Sequence, residues 1–134
     1  MAMVAATIAN GGVVPRPYVV ERVVAPDGSE VTATKPDTLG RAVGANHAAE
    51  TARMMEAVVQ GGTGTAAQIP GIRVAGKTGT AESGVEGTNT TSFMAFAPAD
   101  NPRVAVAVIL ERQSGTGGTT AAPIAKQIME ALIR

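Results

Sequence analysis

The run Val104-Ala105-Val106-Ala107-Val108-Ile109-Leu110 contains no polar residue. Its valines at alternate positions favour a strand. A strand without polar alternation must be covered on both faces. The chain therefore has to supply a sheet and helical layers to sandwich it. Pro98-Ala99-Asp100-Asn101-Pro102 marks a turn before this strand, and Phe93 to Ala97 reads as its partner. Ile72 to Thr80 reads as a further strand, separated from Phe93 by the polar, glycine-rich loop Ser83 to Thr90. Three successive strands with short links predict an antiparallel meander.

Helices and a hairpin account for the rest. Residues 1–10 read as a buried helix stopped by Gly11-Gly12, with Pro15 and Pro17 beyond. Tyr18 to Ala25 and Glu30 to Thr34 flank the turn Pro26-Asp27-Gly28-Ser29, which predicts a surface hairpin. Lys35 to Gly44 reads as an irregular connection. Asn46 is the predicted N-cap of a helix from His47, with Ala48, Ala52, Met55, Val58 and Val59 on its core face and Gly61-Gly62 at its end. Ser114 to Gly118 reads as a flexible link. A final helix is predicted from Thr119 or Thr120, with Pro123 tolerated in its first turn and Ala121, Ile124, Ile128 and Leu132 facing the core.

The expected class is α+β: a three-stranded antiparallel sheet with the C-terminal helix packed on it, preceded by helices and a hairpin. That helix covers one sheet face. The other needs more helical mass than two short helices supply. An apolar helix beginning at residue 1 without a polar lead-in points the same way. Residues 1–134 are thus expected to form a single partial domain cut from a longer chain.

Composition excludes several functions. Eleven basic and eleven acidic side chains give zero formal net charge, which offers no electrostatic case for nucleic acid. Aromatic residues make up 2% and Trp is absent, which is poor material for base stacking. With no Cys and a single His, His47, neither a disulfide nor a Cys/His metal site is available. No cofactor or metal is implied. The N-terminal residues lack the basic start of a signal peptide.

Gly71-Ile72-Arg73-Val74-Ala75-Gly76-Lys77-Thr78 matches the phosphate-loop pattern GxxxxGK[ST]. Such a loop needs a strand before it and a helix opening at its lysine. Gln68-Ile69-Pro70 is a poor strand, and Gly79 is a poor first helical turn. A nucleotide binder is therefore the lesser alternative. Read as a strand, Lys77 and Gly79 point to one face and Thr78 and Thr80 to the other. Gly79 leaves room for a ligand backbone. A cation and two hydroxyls beside bare backbone suit a carboxylate and an acyl group.

Lys-Thr-Gly is one of the three motifs of β-lactamases and penicillin-binding proteins. Several further segments resemble the C-terminal half of class B penicillin-binding proteins: Gly61-Gly62-Thr63-Gly64-Thr65-Ala66, Val74 to Glu82, Phe96 to Val108, Gly117-Gly118 and Ala121 to Ala125. Met3 to Gly12 resembles the helix after that family's second motif. The resemblance runs in order along nearly the whole chain. It implies a partial transpeptidase fold and a serine acyl-enzyme that cross-links peptidoglycan. It further implies that Lys77 and Thr80 serve catalysis and that Thr78, Gly79 and Thr80 bind substrate. Lys77 would hold positive potential over the site and hydrogen-bond toward the serine of Ser-x-Asn. The Thr78 and Thr80 hydroxyls would take the carboxylate of a D-Ala-D-Ala stem peptide or of a β-lactam. The Thr80 N–H would be one of two oxyanion donors. The implied partners are the stem peptide, β-lactams and the N-terminal part of the same domain. The implied location is the outer side of the bacterial cytoplasmic membrane, with the parent protein membrane-anchored.

The chain departs from the family pattern in one decisive respect. Its serines are Ser29, Ser83, Ser92 and Ser114, and none begins Ser-x-x-Lys or Ser-x-Asn. Acylation needs a serine and an activating base, so the chain alone is expected to be inactive. The family often carries Trp where Ser92 stands. A different function class is a binding or structural half that works with a partner chain. A β-lactamase parent is a third possibility, against which Ala97-Pro98-Ala99-Asp100 argues. His47 reads as a solvated helix-start residue and Met54-Met55 as core. Glu82, Glu86 and Glu111 read as loop and strand-end charges. Gly61 to Gly64 reads as a helix stop rather than an anion nest.

Overall fold

The structure is a computed structural model that describes residues 1–133. Its elements are helix α1 (Ala2–Ala9), strands β1 (Val13–Pro15), β2 (Arg22–Val24), β3 (Glu30–Ala33) and β4 (Thr38–Arg41), helix α2 (Ala45–Gly61), a 3-10 turn (Thr65–Ala67), strands β5 (Ala75–Glu82), β6 (Asn89–Ala97) and β7 (Val104–Gln113), and helix α3 (Gly117–Leu132). The main sheet is the expected antiparallel meander in the order β5-β6-β7. Its register places Lys77 opposite Met94, Gly79 opposite Ser92 and Thr80 opposite Thr91, while Ser92 faces Ile109 on β7.

The α+β reading holds, and α3 packs on one sheet face. Phe93, Ala95, Ala97, Val106 and Val108 meet Ala121, Ala122, Ala125 and Met129 of α3 in the larger core. The opposite face carries a second core, in which Ala75 and Phe96 meet Ala5 of α1 and Met55 of α2. Ala105 of β7 is partly buried there, but Ile109 is 57% exposed. The second face is thus covered at its Ala105 end and open at its Ile109 end.

Arg73, just before β5, is tied to α2. Its Nε and Nη2 donate to Glu56 Oε2 and Oε1 at 2.9 and 3.0 Å. The carboxylate is buried, and the planar fork of Arg suits it bidentately. Ala99 N–H donates to Arg73 O at 2.8 Å, so the turn before β7 is fastened at the same point.

Several boundaries differ from expectation. The core face of α3 is Ala121, Ala122, Ala125 and Met129, while Ile124, Ile128 and Leu132 are exposed. A helix that closely approaches a sheet buries small side chains; the branched ones turn outward. This helix also begins earlier, at Gly117, with Thr116 as N-cap and Thr116 N–H donating to Thr119 Oγ1 at 3.0 Å. The segment Ser114 to Gly118 therefore includes a helix start as well as a link. The N-cap of α2 is Gly44, and Asn46 lies inside the first turn with no capping bond.

Part of Lys35 to Gly44 is strand β4, paired with β1 through Val13 and Arg41. Helix α1 buries only Ala5 and Thr7 rather than its whole surface. The hairpin forms as β2 and β3, shorter than predicted and fully exposed. Strand β5 begins at Ala75 rather than Ile72, and β6 reaches back to Asn89. Beside the β1–β4 pair, Arg16 Nε donates to Asp37 Oδ2 at 2.8 Å and holds that carboxyl below its ordinary range. A carboxyl lowered on folding stabilises the fold above its unfolded value and stops doing so as pH falls through its folded one.

Candidate active-site strand

Strand β5 is an edge strand, so one row of its N–H and C=O groups has no partner strand. Alternation sorts its motif residues. Thr78 and Thr80 share the α3 face with Phe93 and Thr91, while Lys77 and Gly79 share the other with Met94 and Ser92.

On the α3 face each threonine has one close polar neighbour. Thr78 Oγ1 lies 2.8 Å from Thr63 Oγ1, in the loop after α2. Thr80 Oγ1 accepts a hydrogen bond from Gly117 N–H, at the start of α3, at 3.2 Å. That amide is a helix N-terminal donor. On the opposite face Lys77 is exposed, and its Nζ donates to Thr78 O at 2.6 Å. Among the described residues Lys77 makes no ion pair. A hollow of about 60 Å³ lies beside it, lined by Met1, Gly79, Ser92, Met94 and Ile109. The Lys77 ammonium on one face and the Thr78 and Thr80 hydroxyls on the other give this edge several donors, which suits an anionic ligand.

Glycines set the geometry. A Cβ at Gly117 would overlap Ser92 O and lie 2.6 Å from Gly79 O; one at Gly118 would overlap Thr63 O. The start of α3 is therefore pressed directly onto β5, β6 and the Thr63 loop. The space a Cβ would take at Gly79 is held by Ser92 Oγ, so the room this glycine leaves serves the neighbouring strand first. Helix propensity alone favours alanine over glycine by about 1 kcal/mol. Gly117→Ala is nevertheless expected to destabilise by about 1–3 kcal/mol, because the clash is with backbone that cannot turn away. A urea titration that showed the variant more stable than the parent would contradict this packing.

Lys77 sits within a strand and no helix opens at it, so the phosphate-loop reading fails on geometry. His47 is exposed in the first turn of α2, and Glu82, Glu86 and Glu111 are exposed. Among the described residues no group of three His, Cys, Asp or Glu side chains could hold a metal. A cleft of about 560 Å³ lies elsewhere, between the end of α2, Ile72 and Lys126. It contains none of the motif residues, and Arg73 on its rim is already engaged by Glu56.

The family described as penicillin binding protein transpeptidase domain matches residues 1–130. The chain belongs to this transpeptidase family. The class B resemblance read from the motifs therefore stands. The peptidoglycan D,D-transpeptidase PbpA of Mycolicibacterium smegmatis is 44% identical over 140 residues, which cover 99% of this chain and 28% of that protein. PbpA of Mycobacterium tuberculosis is 42% identical over 143 residues, with the same coverage. The penicillin-binding protein A structure from M. tuberculosis, a ceftriaxone acyl-enzyme complex, superposes with a TM-score of 0.92 at 39% identity over 99% of this chain and 31% of that one. The D,D-transpeptidase domain from Eggerthella lenta gives 0.85 at 44% identity over 97% and 31%. The chain thus spans less than a third of the length of these transpeptidases.

The sequence reading gives two parts of this edge no contact with β5. Thr63 reads as the start of the loop after the helix stop and Gly117 as part of a flexible link; the family resemblance includes both segments but assigns neither residue a role. The available signal was in the glycines: Gly62, Gly64, Gly117 and Gly118 bracket both sites, and crowding at each leaves little room for a side chain.

Proposed function

We propose that this chain is the substrate-binding part of a peptidoglycan D,D-transpeptidase. Lys77, Thr78, Gly79 and Thr80 would form the strand that receives a D-Ala-D-Ala stem peptide or a β-lactam. The observation that carries the reading is the unpaired edge of β5, where the Thr78 and Thr80 hydroxyls lie on one face, Thr80 oriented by the Gly117 amide, and the exposed Lys77 ammonium lies on the other, with Nζ on Thr78 O. A carboxylate accepts hydrogen bonds and donates none when ionised, so this edge complements it.

In this reading the Thr78 and Thr80 hydroxyls hold the substrate carboxylate. The Thr80 N–H is one donor to the oxyanion of the tetrahedral intermediate. Lys77 keeps positive potential where negative charge develops. The nucleophile comes from a segment that carries Ser-x-x-Lys, and this chain is the C-terminal half of the domain that contains both. The open end of the second sheet face, beside Ile109 and the Lys77 hollow, is where such a segment would dock. Peptidoglycan lies outside the cytoplasmic membrane, so the working location is extracytoplasmic, with the anchor in the parent protein. Among the described residues no helix is long and apolar enough to cross a membrane.

Fluorescent penicillin tests the division of labour. The 134-residue chain alone is expected to show no covalent label after denaturing electrophoresis, because none of its serines has a lysine three residues on. Stable labelling of the isolated chain would overturn the assignment of the nucleophile to another segment.

A further inference from the structure

We propose that Thr63 is a positioning residue that turns the Thr78 hydroxyl outward as a donor to the substrate carboxylate, matching what Gly117 N–H does for Thr80. The inference rests on the carboxylate reading above. It extends that site to a loop outside the Lys77–Thr80 strand.

A hydroxyl has one proton to give and two lone pairs to accept with. At Thr80 the direction is fixed by chemistry. The Gly117 N–H can only donate, so it occupies a lone pair of Thr80 Oγ1. Among the described residues the Thr80 proton has no protein acceptor, which leaves it for a ligand. At Thr78 the neighbour is another hydroxyl, Thr63 Oγ1 at 2.8 Å, and either can be the donor. A bound carboxylate removes that freedom. It can only accept, so Thr78 must give its proton to the ligand. The contact with Thr63 then survives only if Thr63 donates. The chain Thr63 to Thr78 to carboxylate runs in one direction, and each bond polarises the next.

The backbone of Thr63 is held for this task. Gly118 packs so closely that a Cβ there would overlap Thr63 O, and a Cβ at the preceding Gly62 would lie 2.9 Å from Val58 Cα. The Thr63 hydroxyl makes no other protein hydrogen bond among the described residues. The two supports also differ in a useful way. A main-chain amide cannot be deleted by changing a side chain, whereas the Thr63 hydroxyl can.

The test is an NMR titration of the 134-residue chain with N-acetyl-D-Ala-D-Ala and with its C-terminal amide. The readout is the ratio of acid to amide affinity. Thr63→Val is expected to lower that ratio by about fivefold. Thr63→Ser, which keeps the hydroxyl, is expected to stay within about twofold of the parent. In a Thr78→Val background the Thr63→Val change is expected to have no further effect, whereas a general loosening of the fold would still lower the ratio. An unchanged ratio in Thr63→Val, an equal loss in Thr63→Ser, or a further loss in the double variant would overturn the inference and leave the carboxylate reading standing. If the parent chain fails to prefer the acid, the carboxylate reading falls and this inference with it.

Discussion

Replacing Lys77 by alanine is expected to slow acylation by penicillin by about 10²–10³-fold in a domain assembled from this chain and a Ser-x-x-Lys segment. The size follows from where the charge sits. Lys77 stands on the second sheet face of β5 with Nζ donating to Thr78 O, and it makes no ion pair among the described residues. A unit charge about 4 Å from a developing negative charge is worth roughly 4 kcal/mol at an effective dielectric constant near 20. Losing most of that from the transition state gives the stated factor. Binding of the free carboxylate should weaken less, because Thr78 and Thr80 present hydroxyls from the opposite face. Stopped-flow measurement of the second-order acylation constant, with Lys77→Arg alongside, checks this. Arginine keeps the charge but spreads it over a planar fork, so it should recover only part of the rate. A loss below about threefold in Lys77→Ala would contradict the proposed catalytic role of Lys77.

The largest expected effect on stability is at Phe93. Phe93→Ala should cost about 3–5 kcal/mol, since its ring is fully buried and leaves a cavity when deleted. The ring lies in a slot that two glycines create. A Cβ at Gly76 would overlap the ring Cζ, and one at Gly64 would lie 3.1 Å from Cε2. With no side chains at those glycines to swing inward, the slot can collapse only by moving backbone. Small domains have about 5–15 kcal/mol in total, so this change should bring the chain close to unfolding at room temperature. It should also misplace β5, because Gly76 directly precedes Lys77. The midpoint of urea unfolding gives the measurement. A loss below about 1 kcal/mol would mean that the slot relaxes and that the glycines do not define it.

What the sequence revealed depended on which force decides each element. The run Val104 to Leu110 demanded burial, and β7 lies in the main sheet with Val106 and Val108 under α3. Gly-rich and Pro-rich punctuation marked the hairpin turn and the ends of α1 and α2. Local capping chemistry was less legible. Asn46 had the right residue type, but Gly44 took the N-cap two residues earlier. The face of α3 was misread for a packing reason. Hydrophobicity favoured Ile124, Ile128 and Leu132, yet the close approach of Gly117 and Gly118 to the sheet selects alanines. The short pair β1–β4 was invisible because its residues carry no alternation to read.

The candidate site divides the same way. Lys77 to Thr80 was legible as a strand because its alternation and its glycine are local properties. Thr63 and Gly117 reach that strand from 15 and 37 residues away in the chain. Their role depends on α3 packing, which no local pattern encodes. Once the glycine contacts are known, Gly62-Thr63-Gly64 and Gly117-Gly118 read as two sides of one approach.

Binding of a peptide carboxylate at the β5 edge should be visible in the backbone amides around it. Amide chemical-shift mapping of the 134-residue chain with N-acetyl-D-Ala-D-Ala tests it most directly. The largest shifts are expected at Gly79, Thr80 and Gly117, and they should be absent with the C-terminal amide of the same dipeptide. Saturable shifts centred instead on Gln60, Gln68, Ile72 and Lys126, in the separate cleft beyond α2, would contradict it.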